Sequence, residues 1–295
     1  MSAQRVLLSE LDGTAFQHPR DKEATDNLKK LIGFDRLVAK FLELGYERLN
    51  YVYNSGSSVR VSETQFPRLY AMLRDACAIL DVTEPELYVS QAPIVNAYTS
   101  GHTQPHIMVY TAMLDLLSDE ELFAMIGHEL GHIKCGHVLY YTMANSISTV
   151  ISILGQLTFG IGRIIGATIE AALLEWRRRS ELSADRAALL TVQDPRPVVG
   201  MLTKMAGGTH RWSDQLSPEA FLEQARRFKS EGESEDLLDM IYRSFAEFTQ
   251  GTHPFAVERV REIDDWSQGE EYAAILKGDY PKVVKRFQVK VNKSK

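Results

Sequence analysis

From Asp26 to Leu49 apolar side chains recur at near-helical spacing: Leu28, Leu31, Ile32, Leu37, Val38, Phe41 and Leu42, with a break around Gly33. The same period returns in "FPRLYAMLRDACAILDV", where Leu69, Met72, Leu73, Ala76 and Leu80 form one stripe. Pro67 falls in the first turn, where a helix tolerates it. Both segments predict core-forming helices, with Cys77 as packing. Residues 1–25 are polar and irregular, which predicts a surface extension.

The pattern then changes to short β-prone runs punctuated by Pro and Gly, "PELYVSQAPIVNAYTSG" and "PHIMVYTAML", predicting a small sheet around 86–110. Ser118 followed by Glu121 is a capping-box signature. The helix it opens is apolar on every side. From Leu122 to Ile169 the formally charged residues are Glu129, Lys134 and Arg163, so this stretch is buried. After Ser180 helical spacing resumes. "SEGESEDLLD" reads as a solvated acidic stretch, and "YPKVVKRFQVKV" as a strand.

A length of 295 residues with 44% apolar and 24% charged positions describes an ordinary globular chain. The net charge of −6 and the lack of a basic-aromatic platform argue against nucleic acid as a partner. Basic residues gather at the end, Lys282 to Lys295, as a solvated tail. Two cysteines are too few for a disulfide framework. The first residues show neither a basic n-region nor a long apolar core. These points lead us to expect a cytoplasmic chain, with membrane association as the alternative.

Candidate chemistry is concentrated in His128-Glu129-Leu130-Gly131-His132. Residues four apart on a helix share a face, so the two imidazoles can grip one ion. Glu129 lies about 100° round from His128, beside the ion but not naturally its ligand, where a general base for water belongs. A buried carboxylate there is expensive unless something positive compensates it. In "RRRSELSADRAALL", Glu181 and Asp185 stand four apart on a second helix. Glu181 would be the third ligand and Asp185 the partner of a ligand histidine; an exposed pair with Arg178 or Arg186 is the plainer reading. Cys135 reads as packing beneath the site. His137 falls about 180° from His128 on a continued helix and is given no role.

With these motifs in view, the chain resembles the M48 family of zinc metallopeptidases, the gluzincin-type group that includes HtpX-like enzymes. The resemblance rests on Asn96-Ala97-Tyr98 before Gly101, on the HExxH, on Glu181 with Asp185, and on His253-Pro254 followed by Arg259. It spans roughly 62–268, leaving 1–61 as an N-terminal extension with a helical part and 269–295 as a basic tail. It implies an α+β, mostly helical, zincin-like fold with a small sheet beside the HExxH helix. It further implies one Zn2+ held by His128, His132 and Glu181, with Glu129 activating the metal-bound water. Asn96, Ala97 and Tyr98 would form a sheet edge for an extended or unfolded polypeptide. His253 would serve the oxyanion, with Arg259 holding that segment or adding positive charge.

The expected activity is that of a zinc endopeptidase. A zinc-bearing chaperone or adaptor that holds polypeptides without cutting them is the rival, and Glu129 favours the enzyme. The run 138–162 has no charge and would be long enough to span a bilayer. Asn145, Ser146, Ser148, Thr149, Ser152, Gln156 and Thr158 interrupt it, which favours a helical hairpin over the active-site helix or a buried dimer face. Membrane contact through 138–169 and self-association both stay open.

Overall fold

Helices come before the first strand. The computed structural model describes residues 5–31, 34–43, 45–146, 161–232 and 253–283. A 3-10 turn at Gly13–Ala15 leads into α1 (Pro19–Lys29), α2 (Phe34–Glu43) and α3 (Tyr46–Ser57). β1 (Val59–Arg60), α4 (Pro67–Leu80), β2 (Glu86–Ser90), β3 (Ala97–Ser100) and β4 (His106–Tyr110) follow. Next come α5 (Thr111–Leu116) and α6 (Asp119–Lys134), which carries the two histidines, then helical residues 138–146. The 32-residue α7 (Ile161–Val192), α8 (Pro195–Gly207), α9 (Pro218–Gly232), α10 (Ala256–Ser267) and α11 (Glu270–Leu276) complete the described chain. Among the described residues the protein is α+β and mostly helical, with one small sheet, as the patterning and the family resemblance lead us to expect.

The sheet runs in the order β1-β2-β4-β3. β2 and β4 pair in parallel, with Leu87 opposite Ile107, while β1 and β3 are antiparallel additions. β4 is the most buried strand because it lies inside the sheet, whereas β3 is an edge. β1, only two residues long, carries too little pattern to be seen in the sequence.

At Ser118 the capping signal operates as the sequence suggests: the backbone N–H of Ser118 donates to Glu121 Oε2 at 2.7 Å. Asp119, Glu120 and Glu121 in the first turn complement the helix dipole. Every residue from Glu121 to His132 is buried. What brings α6 against α7 is glycine. A Cβ on Gly131 would lie 2.6 Å from the Ala187 Cβ and 3.1 Å from the Ala184 Cα, and one on Gly127 2.3 Å from Thr191 Oγ1. Small residues at i and i+4 on one helix, facing small residues on the other, let the two backbones close up. Glu181, one turn before Ala184, is thereby carried to the histidines.

The N-terminal segment departs from expectation. Leu8, Leu11, Ala15 and Phe16 are buried in the main core rather than lying on the surface. α1 also begins well before Asp26: Pro19 takes the first helical position and His18 Nδ1 accepts from the Arg20 N–H at 3.2 Å. The polar reading failed because Asp21 and His18 are themselves buried and engaged. A second cluster, with Leu28, Phe34, Leu37 and Phe41 around Trp176 and Tyr141, seats α1 and α2 on α7.

Residues 147–160 of the uncharged run lie outside the described residues, so the hairpin expected there is not described, nor is most of the acidic stretch or the tail beyond Val283. Within the expected C-terminal strand, Lys282 makes a single bridge to Leu11. Among the described residues no helix is long and apolar enough to cross a membrane.

The close crossing gives a test. Gly→Ala inside a helix normally gains close to 1 kcal/mol in propensity. Gly131→Ala should instead destabilise by about 1–3 kcal/mol, because α6 and α7 must separate. Thermal unfolding measures this, and a rise in Tm would refute the tight crossing.

Candidate metal centre

α6 projects His128 and His132 from one face, and α7 projects Glu181 and Asp185 from another one turn apart. The two Nε2 atoms are 3.2 Å apart. Glu181 Oε2 is 3.5 Å from His128 Nε2, and Oε1 is 3.6 Å from His132 Nε2. One ligand atom from each of these three residues lies within 4.8 Å of the others, and all three side chains are buried. Two imidazole nitrogens and a carboxylate pointing at one spot away from water form the donor set that suits a zinc-like cation.

The surrounding groups set the charge of this cluster. His128 Nδ1 is 3.0 Å from Asp185 Oδ1, which leaves Nε2 facing the cluster. Burial opposes charge on His128, but Asp185 and Glu181 outweigh it and raise its pKa to about 10. Burial and the neighbouring His128 push His132 well down. Burial also opposes charge on Glu181, yet His253, Arg259 and His128 hold its carboxyl well below the usual range. Arg259, 5% exposed, donates through Nε to Asp185 Oδ2 at 2.8 Å and through Nη2 to Oδ1 at 2.7 Å. The same Nη2 is 3.3 Å from Glu181 Oε2. This arginine therefore grips carboxylates on α7.

Glu129 is buried beside the cluster, and burial pushes its carboxyl pKa up. The Thr99 hydroxyl on β3 donates to Glu129 Oε2 at 2.6 Å. Asn96, Ala97, Tyr98 and Thr99 line the same cavity as Glu129, His128 and His132. Ala97 and Tyr98 belong to the edge strand, opposite Val109 and Met108, and the Asn96 carbonyl accepts from the Tyr110 N–H at 3.1 Å. His253 lines the cavity from the far end of the chain, its Nε2 3.8 Å from Glu181 Oε2 and its side chain 41% exposed. The structure thus brings all ten predicted residues to one place.

Three neighbours escaped the sequence reading. Thr99 left no signal beyond its place after Tyr98. Tyr141, buried in the helical stretch 138–146, gives its hydroxyl hydrogen to Glu181 Oε1. His137 has its Nδ1 3.0 Å from His132 Nδ1. Its placement opposite His128 assumed a helix continuing past Lys134, but α6 stops there and Gly136 adopts φ +72°. The glycine itself is the signal that was available. Cys135, at the end of α6, points its Sγ toward the Gly13 carbonyl at 3.9 Å, away from the cluster.

Paired histidines, a convergent carboxylate and a buried glutamate beside an edge strand define the metallohydrolase class. The chain belongs to peptidase family M48, whose model matches residues 63–267, and is a metallopeptidase. It is 42% identical over 276 residues to the plastoglobule-localized metallopeptidase 48, chloroplastic, of Arabidopsis thaliana, covering 92% of this chain and 78% of that one. It is 27% identical over 178 residues to protease HtpX homolog 2 of Methanosarcina mazei, and 26% identical over 194 residues to a protease HtpX homolog of Moorella thermoacetica. These matches take in 53% and 58% of this chain, and 60% and 63% of the relatives' own length. No solved structure matches the chain.

The expectation of a cytoplasmic chain is overturned by the first of these relatives, which is chloroplastic. A basic n-region and a long apolar core are marks of secretory signals alone, whereas plastid addresses are amphipathic and rich in Ser and Arg.

Thr99→Val keeps the shape of the side chain and removes its hydrogen bond to Glu129. Bonds to charged groups contribute about 1.5–3 kcal/mol, so kcat should fall roughly tenfold or more with metal content unchanged. Wild-type kcat in a folded, metal-loaded variant would mean that Thr99 does not hold the carboxylate in place.

Proposed function

We propose that the chain is a zinc endopeptidase acting on extended polypeptide, with its peptidase domain at 62–268. The observation that carries this reading is the buried Glu129, held by Thr99 and aimed into the cavity shared by the ligand cluster and the β3 edge. His128, His132 and Glu181 would hold the ion. Bound zinc supplies Lewis acidity, lowering the pKa of water toward ~7 and polarising a carbonyl.

The chain's own residues do the rest. Asn96, Ala97 and Tyr98 receive the substrate as an added strand, since backbone hydrogen bonds to an edge demand no particular sequence. Glu129 takes a proton from the attacking water as its oxygen bonds to the carbonyl carbon. Glu129 then delivers that proton to the amine as the C–N bond breaks. His253 donates to the oxyanion. Arg259 holds Asp185, and Asp185 holds His128 in the tautomer that leaves Nε2 bare. Arg259, bonded to Asp185 and close to Glu181, would serve the transition state through these carboxylates rather than by touching the oxygen.

Glu129→Gln removes the base and no ligand. It should retain zinc by metal analysis and cleave unfolded casein at least a hundred-fold more slowly. Comparable cleavage by the variant would refute the base assignment.

An oxyanion donor matters in the transition state more than in the ground state. His253→Phe should therefore lower kcat by roughly a hundred-fold with KM little changed. A variant that cleaves normally once folded would reduce His253 to a structural residue.

A further inference from the structure

His132 has a second face that the proposed mechanism leaves unused. α6 ends in a Schellman motif: the His137 N–H donates to the His132 carbonyl at 2.9 Å and the Gly136 N–H to the Ile133 carbonyl at 3.1 Å. Gly136 supplies the left-handed φ of +72° that this turn needs. Such a turn folds the residue after the glycine back onto the third residue from the helix end, normally as an apolar contact. Here the two residues are His137 and His132, and their Nδ1 atoms meet at 3.0 Å.

On its far side His137 Nε2 is 3.1 Å from Asp21 Oδ2. Asp21 is fully buried, and the same oxygen accepts from Ser183 Oγ at 2.6 Å and Gln17 Nε2 at 3.1 Å. Its other oxygen accepts from Thr25 Oγ1 at 3.2 Å.

With one proton on each ring, a single arrangement satisfies both the His132–His137 and the His137–Asp21 contacts. A carboxylate only accepts, so His137 must carry its hydrogen on Nε2. Its Nδ1 is then an acceptor, which requires the His132 hydrogen on Nδ1. His132 Nε2 is left with its lone pair directed at His128 Nε2 and Glu181.

We propose that Asp21 and His137 are positioning residues that fix the tautomer and ring angle of His132, making α1 a working part of the metal centre. The proposal rests on the reading of His128, His132 and Glu181 as ligands. It gives each histidine its own outer support: Asp185 and Arg259 behind His128, His137 and Asp21 behind His132.

It also gives a task to a helix outside the residues matched by the family model, 63–267. α1 and its cap are tied to α7 and α10. The His18 backbone N–H donates to Ser183 Oγ on α7 at 2.9 Å, and Arg20 pairs with Glu258 on α10 at 2.5 Å. His18 Nε2 is 3.3 Å from Glu262 on the same helix. The Trp176 indole N–H, on α7, donates to Thr25 Oγ1 at 2.8 Å.

The test uses the full chain and reads Zn2+ affinity by competition with a chromophoric chelator, beside the Tm of the metal-free protein. Asp21→Asn should raise the Kd for Zn2+ ten- to a hundred-fold, the usual scale for an outer partner of a ligand, while metal-free Tm moves by only a few degrees. His137→Gln, which can still accept from His132, should keep more affinity than His137→Leu, and this graded rescue is not expected of a packing residue. At saturating Zn2+ the variants should regain most of the wild-type kcat. Should Asp21→Asn fail to fold, the His137 pair decides, because that side chain lies beyond the end of α6. Wild-type Kd in the folded variants, or a lowered Tm with unchanged Kd, overturns the proposal. A wild-type chain that binds no Zn2+ would instead overturn the ligand reading beneath it.

Discussion

Three carboxylates are buried within a turn or two of one another, and the rest of the structure is arranged around that fact. Glu129, Glu181 and Asp185 are each no more than 4% exposed. Ionised groups taken out of water cost several kcal/mol each unless paired and hydrogen-bonded. Arg259 is shared between Asp185 and Glu181, Thr99 serves Glu129, and Tyr141 serves Glu181. His253, Arg259 and His128 favour the ionised form of Glu181, and Arg259 and His128 that of Asp185, whereas burial keeps the Glu129 carboxyl pKa raised. A divalent cation held by His128, His132 and Glu181 would add positive charge beside Glu129 and would fit the 3.2 Å approach of the two Nε2 atoms.

This electrostatic arrangement depends on a steric one. The cluster forms because α6 and α7 approach along Gly127 and Gly131, against Thr191, Ala184 and Ala187. The sheet is a further layer whose edge strand places Thr99 against Glu129. The N-terminal segment clamps the other side, with Phe16 in the main core and Asp21 behind His137. Helix crossing, strand edge and N-terminal clamp all terminate on residues that touch His128, Glu129 or His132.

The cluster of His128, His132 and Glu181 was legible because its signal is local. His128 and His132, or Glu181 and Asp185, are four apart on helices whose period is strong. The capping box at Ser118 and the break to β-prone runs at 86–110 were local in the same way. What stayed hidden depends on contacts distant in sequence. Asp21 meets His137 across 116 positions, and Thr99 meets Glu129 across 30. No periodicity records such pairs. The polarity of residues 1–25 even pointed the wrong way, since a buried Asp and His read as surface until their partners are seen. His137 was lost for a different reason: a wheel drawn through Gly136 assumes helix where that glycine ends it.

The central claim is that two imidazoles of α6 and one carboxylate of α7 hold a single zinc ion. X-ray absorption at the zinc edge of the purified full chain tests it most directly. The account predicts about one zinc per chain, an inner shell of nitrogen and oxygen at about 2.0–2.2 Å, and the outer-shell pattern of two imidazoles. Sulfur at about 2.3 Å, which would bring in Cys135, or a chain purified without bound zinc that takes none up, would contradict it.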